Sequence, residues 1–117
     1  MKILLTGCCG FIGFNFVNSL IKTNKKIKIV GIDNLNNYYS VGLKKARLKI
    51  LLKSKNFTFQ KMDLENLKLL NNLFKKNKFN CIFHLAAQAG VRYSIKNPKK
   101  YIDSNIIGFF NIIELAR

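Results

Sequence analysis

Acidic residues are scarce in this 117-residue chain: five Asp and Glu stand against 21 Lys and Arg, a formal net charge of +16. Proline occurs once and glycine seven times, which excludes collagen-like and low-complexity chains. Three cysteines are too few for a disulfide framework, and Cys8 and Cys9 are adjacent, a spacing unsuited to an ordinary bridge. A reducing cytoplasm is the expected home. No apolar run is long enough to cross a bilayer. The stretch Ile3-Leu4-Leu5 ahead of Thr6-Gly7-Cys8 is far too short for the apolar core of a lipoprotein signal. With 49% hydrophobic residues the chain is too apolar to be disordered, and its length is that of one small domain.

The charge has two readings. A strongly basic chain points to nucleic acid or an acidic surface. Here the bases are almost all lysine, the chain is also crowded with Asn, Ile and Phe, and these residues share A/T-rich codons. The lysines are spread over many segments instead of forming one stripe, so composition bias is the preferred reading and no nucleic-acid partner is expected.

Periodicity divides the chain into alternating elements. Residues 2–6 read as a buried strand ending at Gly7, and 11–22 as a helix with Phe11, Ile12, Phe16, Val17, Leu20 and Ile21 at helical spacing. Strand 27–32 ends at Asp33, an Asn-rich loop spans 34–39, and a helix follows over 41–53 with Leu43, Ala46, Arg47, Ile50 and Leu51 on one face. Strand 57–61, helix 65–76 and strand 80–85 come next. Asn97 as cap and Pro98 at the first helical position open a last helix running to Arg117. The alternation predicts an α/β fold with a doubly wound parallel sheet, a Rossmann fold cut after its fourth strand and the following helix. That last helix carries Ile106, Ile107, Phe109, Phe110, Ile112, Ile113 and Leu115, which cannot all face one sheet. A helix apolar nearly all round expects more protein around it, so residues 1–117 read as the N-terminal part of a longer chain, or as one whose missing surface comes from a partner.

The strongest local signal is Thr6-Gly7-Cys8-Cys9-Gly10-Phe11-Ile12-Gly13, between the first strand and the first helix. Gly7 permits a tight turn, Gly10 leaves room for a pyrophosphate, and Gly13 lets the helix pack close to the sheet. The helix N-terminus offers unpaired N–H groups and a partial positive charge to phosphates. Asp33 ends the second strand twenty residues after Gly13, the spacing at which a carboxylate accepts from ribose hydroxyls and repels a 2′-phosphate. NAD is therefore favoured over NADP. The bland alternative is that Asp33 caps a loop and the glycines only turn the chain. Asp63, with Leu64, ends the third strand and has two readings: acceptor for an adenine amino group, or N-cap of a helix starting at Glu65. Cys8 and Cys9 read as small buried side chains, His84 as a packed strand residue, and no other Cys or His has zinc-ligand spacing.

The stretches TGCCGFIG, GIDNLNNYY with LKKARL following, HLAAQAGVRYS, and NPKKYIDSNIIGFFNIIELAR resemble the extended short-chain dehydrogenase/reductases, and within them the NAD-dependent nucleotide-sugar epimerases, most of all UDP-glucuronate 4-epimerases. The resemblance covers the whole chain, and AAQAGVRYS is its most specific part. It implies roles by position. Gly7, Gly10, Phe11, Ile12 and Gly13 match the pyrophosphate loop. Asp33, Asn34 and Asn36 match the loop around the adenosine ribose, and Asp63 and Leu64 the adenine clamp. Leu85, Ala86, Ala87 and Gln88 match the segment passing under the nicotinamide, and Ser104 and Asn105 face the same half of the site. Arg92 is placed to fork a carboxylate or phosphate of the substrate, with Tyr93 and Ser94 on the same wall; the alternative is that Arg92 pairs with a loop carbonyl or an acid elsewhere.

The resemblance also implies what these residues do not contain. The family's chemistry uses a Ser/Thr and a Tyr-x-x-x-Lys pair. Tyr38, Tyr39, Tyr93 and Tyr101 all lack a lysine four places on. No catalytic residue is assigned here, and this piece alone is expected to be inactive. The intact protein is expected to be a homodimer acting on a nucleotide sugar, a UDP-uronate or UDP-hexose. Sister readings are a UDP-glucose 4-epimerase, a sugar-nucleotide 4,6-dehydratase, or a dinucleotide-binding module without chemistry.

Overall fold

The computed structural model describes residues 1–117, which divide into two compact units: residues 1–61 with 79–85, and residues 62–78 with 86–117.

The first unit is built on a parallel sheet. Strands β1 (Lys2–Thr6), β2 (Lys28–Asp33), β3 (Phe57–Lys61) and β4 (Cys81–His84) lie in the order β3-β2-β1-β4. Helix α1 (Phe11–Thr23) joins β1 to β2 and helix α2 (Val41–Leu51) joins β2 to β3. Strand order reverses between β1 and β4, so the crevice at their C-terminal ends is the topological switch point where open α/β sheets bind ligands. β1 is the innermost element: Ile3, Leu4 and Leu5 are at most 2% exposed, as expected of a central parallel strand covered on both faces. Ile3 and Leu5 join Cys8, Cys9, Val17, Ile27, Ile29, Leu51 and Phe57 in one core, with Phe14, Phe16 and Leu20 packed against it. Each fully buried aliphatic side chain there contributes roughly 2 kcal/mol.

The second unit holds helices α3 (Leu67–Lys76), α4 (Val91–Lys96), α5 (Pro98–Tyr101) and α6 (Gly108–Ala116), with a π-helical turn at Ile102–Ile107. Gly108 lets α6 meet Leu64 closely: a Cβ at that position would lie 2.6 Å from Leu64 Cβ. Asn111 Nδ2 donates to the Leu64 carbonyl at 2.9 Å, fixing the same contact.

Four expectations need correction. Helix α2 does not bury the face expected: Leu43, Ala46 and Ile50 are exposed, while Lys44 and Leu51 are buried and Arg47 and Leu48 half-buried. The core wants Leu51, and the residues one and two turns before it follow it inward. Helix α3 starts at Leu67, capped by Asn66, whose side chain accepts from the Leu69 N–H at 3.1 Å, so Asp63 is not its N-cap. The last helix is not continuous. Residues 91–96 form an additional helix, Asn97 makes no side-chain cap to α5, and the π turn interrupts the run before α6. Strand and helix ends also shift by one or two residues, β2 taking in Asp33 and α2 ending at Leu51.

Much of the apolar surface of the last helix lies open, as the sequence pattern required. Ile106, Phe109, Phe110 and Ile113 are exposed and only Gly108, Asn111 and Ile112 of α6 are buried.

Candidate functional site

The turn after β1 is shaped by backbone hydrogen bonds to β2. The N–H groups of Gly7 and Cys8 donate to the Ile32 carbonyl at 2.8 and 3.3 Å, and Gly10 N–H donates back to Gly7 O at 3.1 Å. Gly7 has φ 72°, the left-handed region that suits glycine. Gly13 is the close approach: a Cβ there would lie 2.2 Å from Gly7 O. Gly10 caps α1 without a side chain, so the helix's first N–H groups, at Phe11, Ile12 and Gly13, have no capping side-chain acceptor. Phe11 and Ile12 are exposed at that end, which is unusual for large apolar residues on a core helix. Anions are stabilised at such a terminus.

Asp33 stands beside this loop, 8% exposed. Its Oδ2 accepts from the Cys9 N–H at 3.0 Å and its Oδ1 from the Leu35 N–H at 2.9 Å. Two backbone donors hold the carboxylate in place, and each oxygen keeps a lone pair for a further donor. Leu35 takes φ 54° to make this turn, a conformation few non-glycine residues adopt. Asn36 N–H donates to Asn34 Oδ1 at 3.1 Å, so the β2–α2 loop repeats the same turn two residues on.

Cys8 Sγ, Cys9 Sγ and a carboxylate oxygen of Asp33 lie within 4.8 Å of one another, a grouping the sequence reading missed. The only signal for it was the acid at the end of β2, which the parallel pairing of β1 and β2 sets beside the loop. The thiols are 3.8 Å apart. The hydrogen bond with Cys9, then burial, then the charges of Cys9 and Asp33 push the Cys8 thiol far up, so it stays protonated.

Across the switch point, Thr6 Oγ1 lies 2.9 Å from His84 Nδ1 and accepts from the Leu85 N–H at 3.0 Å. Thr6, fully buried, ties the ends of β1 and β4 together, a role no local pattern announced. Burial holds the His84 pKa below its ordinary value, so the ring is neutral near pH 7. Leu85 is exposed just beyond it.

The second unit carries the remaining candidates. Asn105, in the π turn, clamps Gln88 from both sides: Gln88 N–H donates to Asn105 Oδ1 at 2.8 Å, and Asn105 Nδ2 donates to Gln88 O at 2.9 Å. π turns often occur at functional positions. Ser104 is half-buried beside Asn105 in the same turn. The Tyr101 hydroxyl shares its one proton between the carbonyls of Ala89 and Gly90, holding the chain between Gln88 and α4. Ala86 is half-buried and Ala87 exposed. Arg92 is exposed in the first turn of α4. Tyr93 lies under the Lys100 ammonium at 5.6 Å, and Ser94 Oγ donates to Val91 O at 2.6 Å. Asp63 is exposed, and Leu64 is buried against Gly108.

The sheet order, the glycine turn and the acid at the end of β2 define the class: a Rossmann-type parallel α/β arrangement of four strands. The GDP-mannose 4,6 dehydratase family matches residues 4–117, and the chain belongs to that family. It is 52% identical over 117 residues to Protein CapI of Staphylococcus aureus, covering 100% of this chain and 34% of that protein. It is 45% identical over 114 residues to the UDP-glucuronate 4-epimerase of Thermodesulfobacterium geofontis, covering 97% and 35%. Among solved structures, the UDP-glucuronic acid 4-epimerase of Bacillus cereus in complex with UDP-glucuronic acid and NAD superimposes with a TM-score of 0.89 at 33% identity, covering 99% of this chain and 36% of that one. The UDP-glucose 4-epimerase of Thermotoga maritima gives 0.80 at 30% identity, covering 99% and 34%. The chain thus spans about a third of the length of the curated relatives it matches.

Proposed function

We propose that residues 1–117 are the N-terminal, NAD-binding part of a nucleotide-sugar epimerase that interconverts UDP-glucuronate and UDP-galacturonate. The observation that carries this reading is the hydrogen-bonded pair of loops at the end of β1 and β2, with an uncapped helix N-terminus at one end and a fixed carboxylate at the other. That arrangement fits a dinucleotide: bare N–H groups for the diphosphate, Asp33 for the ribose hydroxyls. The same carboxylate, already committed to two backbone donors, disfavours a ribose 2′-phosphate. The names of the relatives support the sugar assignment.

When bound, NAD supplies reversible oxidation at the sugar 4-position. This chain's residues bind and orient. Gly7, Gly10, Phe11, Ile12 and Gly13 hold the diphosphate, Asp33, Asn34 and Asn36 the adenosine ribose, and Asp63 with Leu64 the adenine. Leu85, Ala86, Ala87 and Gln88 pass beside the nicotinamide, Ser104 and Asn105 face the same half of the site, and Asn105 holds Gln88. Arg92, with Tyr93 and Ser94, holds the substrate's carboxylate or phosphate. The proton-transferring tyrosine and its lysine lie outside these residues, so the piece alone is inactive.

The intact protein is a cytoplasmic homodimer in this reading. Three free cysteines support the compartment, and the exposed apolar row on α6 supports further covering protein. No helix is long and apolar enough to cross a membrane.

The test is to incubate the intact protein with NAD and each UDP-sugar and follow the products by chromatography. Interconversion of the two UDP-uronates, with UDP-glucose turned over far more slowly, is expected. Preferred turnover of UDP-glucose, or loss of water from the sugar, moves the assignment to the sister enzymes. A protein that binds no NAD overturns the reading altogether.

A further inference from the structure

Helix α2 turns a lysine into the protein. Lys44 is 7% exposed, and its ammonium donates to Asn36 O at 3.0 Å and Asn36 Oδ1 at 2.9 Å. Both acceptors are neutral oxygens of a single residue. Burying an ammonium against neutral partners is costly, and an apolar side chain of the same length would fill the space with less penalty. Stability alone does not account for a lysine here. What the lysine does is grip the far end of the β2–α2 loop, whose near end is already tied by the Leu35 N–H to Asp33 and the Asn36 N–H to Asn34.

One turn further along the same face, Arg47 Nη1 donates to the Cys9 carbonyl at 3.2 Å, and its guanidinium lies 5.9 and 6.0 Å from the ring centres of Phe11 and Phe14. Cys9 is also the residue whose N–H reaches Asp33. Arg47 therefore holds the glycine loop, and Lys44 the ribose loop, from one rigid helix face. These two cationic side chains fall in the LKKARL stretch, residues 43–48.

We propose that Lys44 and Arg47 are positioning residues for the adenosine-ribose end of the cofactor, bracketing the two loops so that Asp33 is presented at a fixed distance from the α1 N-terminus. Preorganisation of this kind raises affinity by removing the ordering cost at the moment of binding. The inference rests on the NAD reading above.

The test measures ADP-ribose affinity by calorimetry and the ligand-free unfolding midpoint, in the intact protein and its Lys44→Met, Arg47→Met and doubly substituted forms. Each single change is expected to weaken ADP-ribose by roughly tenfold or more, the loss expected for a charge-assisted hydrogen bond. The unfolding midpoint of Lys44→Met is expected to change little, because the relieved desolvation of the ammonium offsets the loss of two hydrogen bonds to half-buried Asn36, whose oxygens water can reach. A loss of affinity at a nearly constant midpoint is what a merely structural lysine would not give. Where Lys44→Met fails to fold, Lys44→Gln replaces it, with the same selective loss expected. Unchanged ADP-ribose affinity in the variants, or a loss that only follows a falling midpoint, overturns the bracket and leaves the NAD reading standing. Absence of ADP-ribose binding by the unsubstituted protein overturns both.

Discussion

The backbone N–H of Cys9 donates to Asp33 Oδ2 at 3.0 Å, joining two loops whose residues are 24 apart in sequence. The glycine turn and the acid at the end of β2 are thus one hydrogen-bonded object, and a change at either should be felt at both.

Asp33→Asn tests that link. The native carboxylate accepts two backbone N–H bonds, one on each oxygen. An amide has one acceptor oxygen, so its NH2 must face either Cys9 N–H or Leu35 N–H. A buried donor left unpaired costs about 1–3 kcal/mol. Chemical denaturation should show a loss of that order, and calorimetry a weaker NAD complex with less discrimination against NADP.

The two later glycines of the turn should fail differently. Gly13→Ala places a Cβ 2.2 Å from Gly7 O, a backbone atom that cannot step aside. Stability should fall by about 3 kcal/mol, read from the denaturant midpoint. At Gly10 a Cβ meets Gly7 O at 3.3 Å, a milder crowding. Gly10→Val should keep the fold and abolish NAD binding; an unchanged dissociation constant would count against the loop assignment.

His84 gives a pH dependence with a definite sign. Burial lowers its pKa in the folded protein, so folding favours the neutral ring. The contribution is complete above the unfolded value of about 6.5 and is lost as pH falls through the lower folded value. Unfolding free energy should decline more steeply between pH 7 and pH 5 in the native protein than in His84→Asn. The asparagine oxygen keeps an acceptor near Thr6 Oγ1 and does not titrate in that range.

Arg92→Ala should separate substrates. Arg92 is exposed and belongs to neither the Lys99–Asp103 nor the Arg117–Glu114 ion pair. Under the proposed epimerase reading, kcat/KM of the intact protein for a UDP-uronate should drop well beyond that for a neutral UDP-hexose, since only the former offers a carboxylate to fork. Equal losses would remove that role.

Legibility differed from one part to another. The strand, glycine turn and helix at residues 2–23 were readable because each rests on local chemistry: apolar period, positive φ, close approach. The alternation of elements followed from the same periodicities, and all four strands lie where it placed them within a residue. The face of α2 was misread because Leu43 and Ile50 look like core, whereas position relative to Leu51 decides. The last helix was read through because nothing in its composition announces a π turn. That turn belongs with the Asn105–Gln88 clamp, a pairing across 17 residues.

By itself, then, the chain's order of residues determined a parallel α/β frame, a glycine turn between β1 and α1, and an acid at the end of β2, since these depend on neighbours a few positions apart. Only the tertiary structure decided that Lys44 and Arg47 point inward, that Cys9 and Asp33 share a hydrogen bond, and that Thr6 ties β1 to β4 through His84 and Leu85. Those contacts join segments brought together by sheet register, and register is set by the packing of the whole unit, which no local window contains.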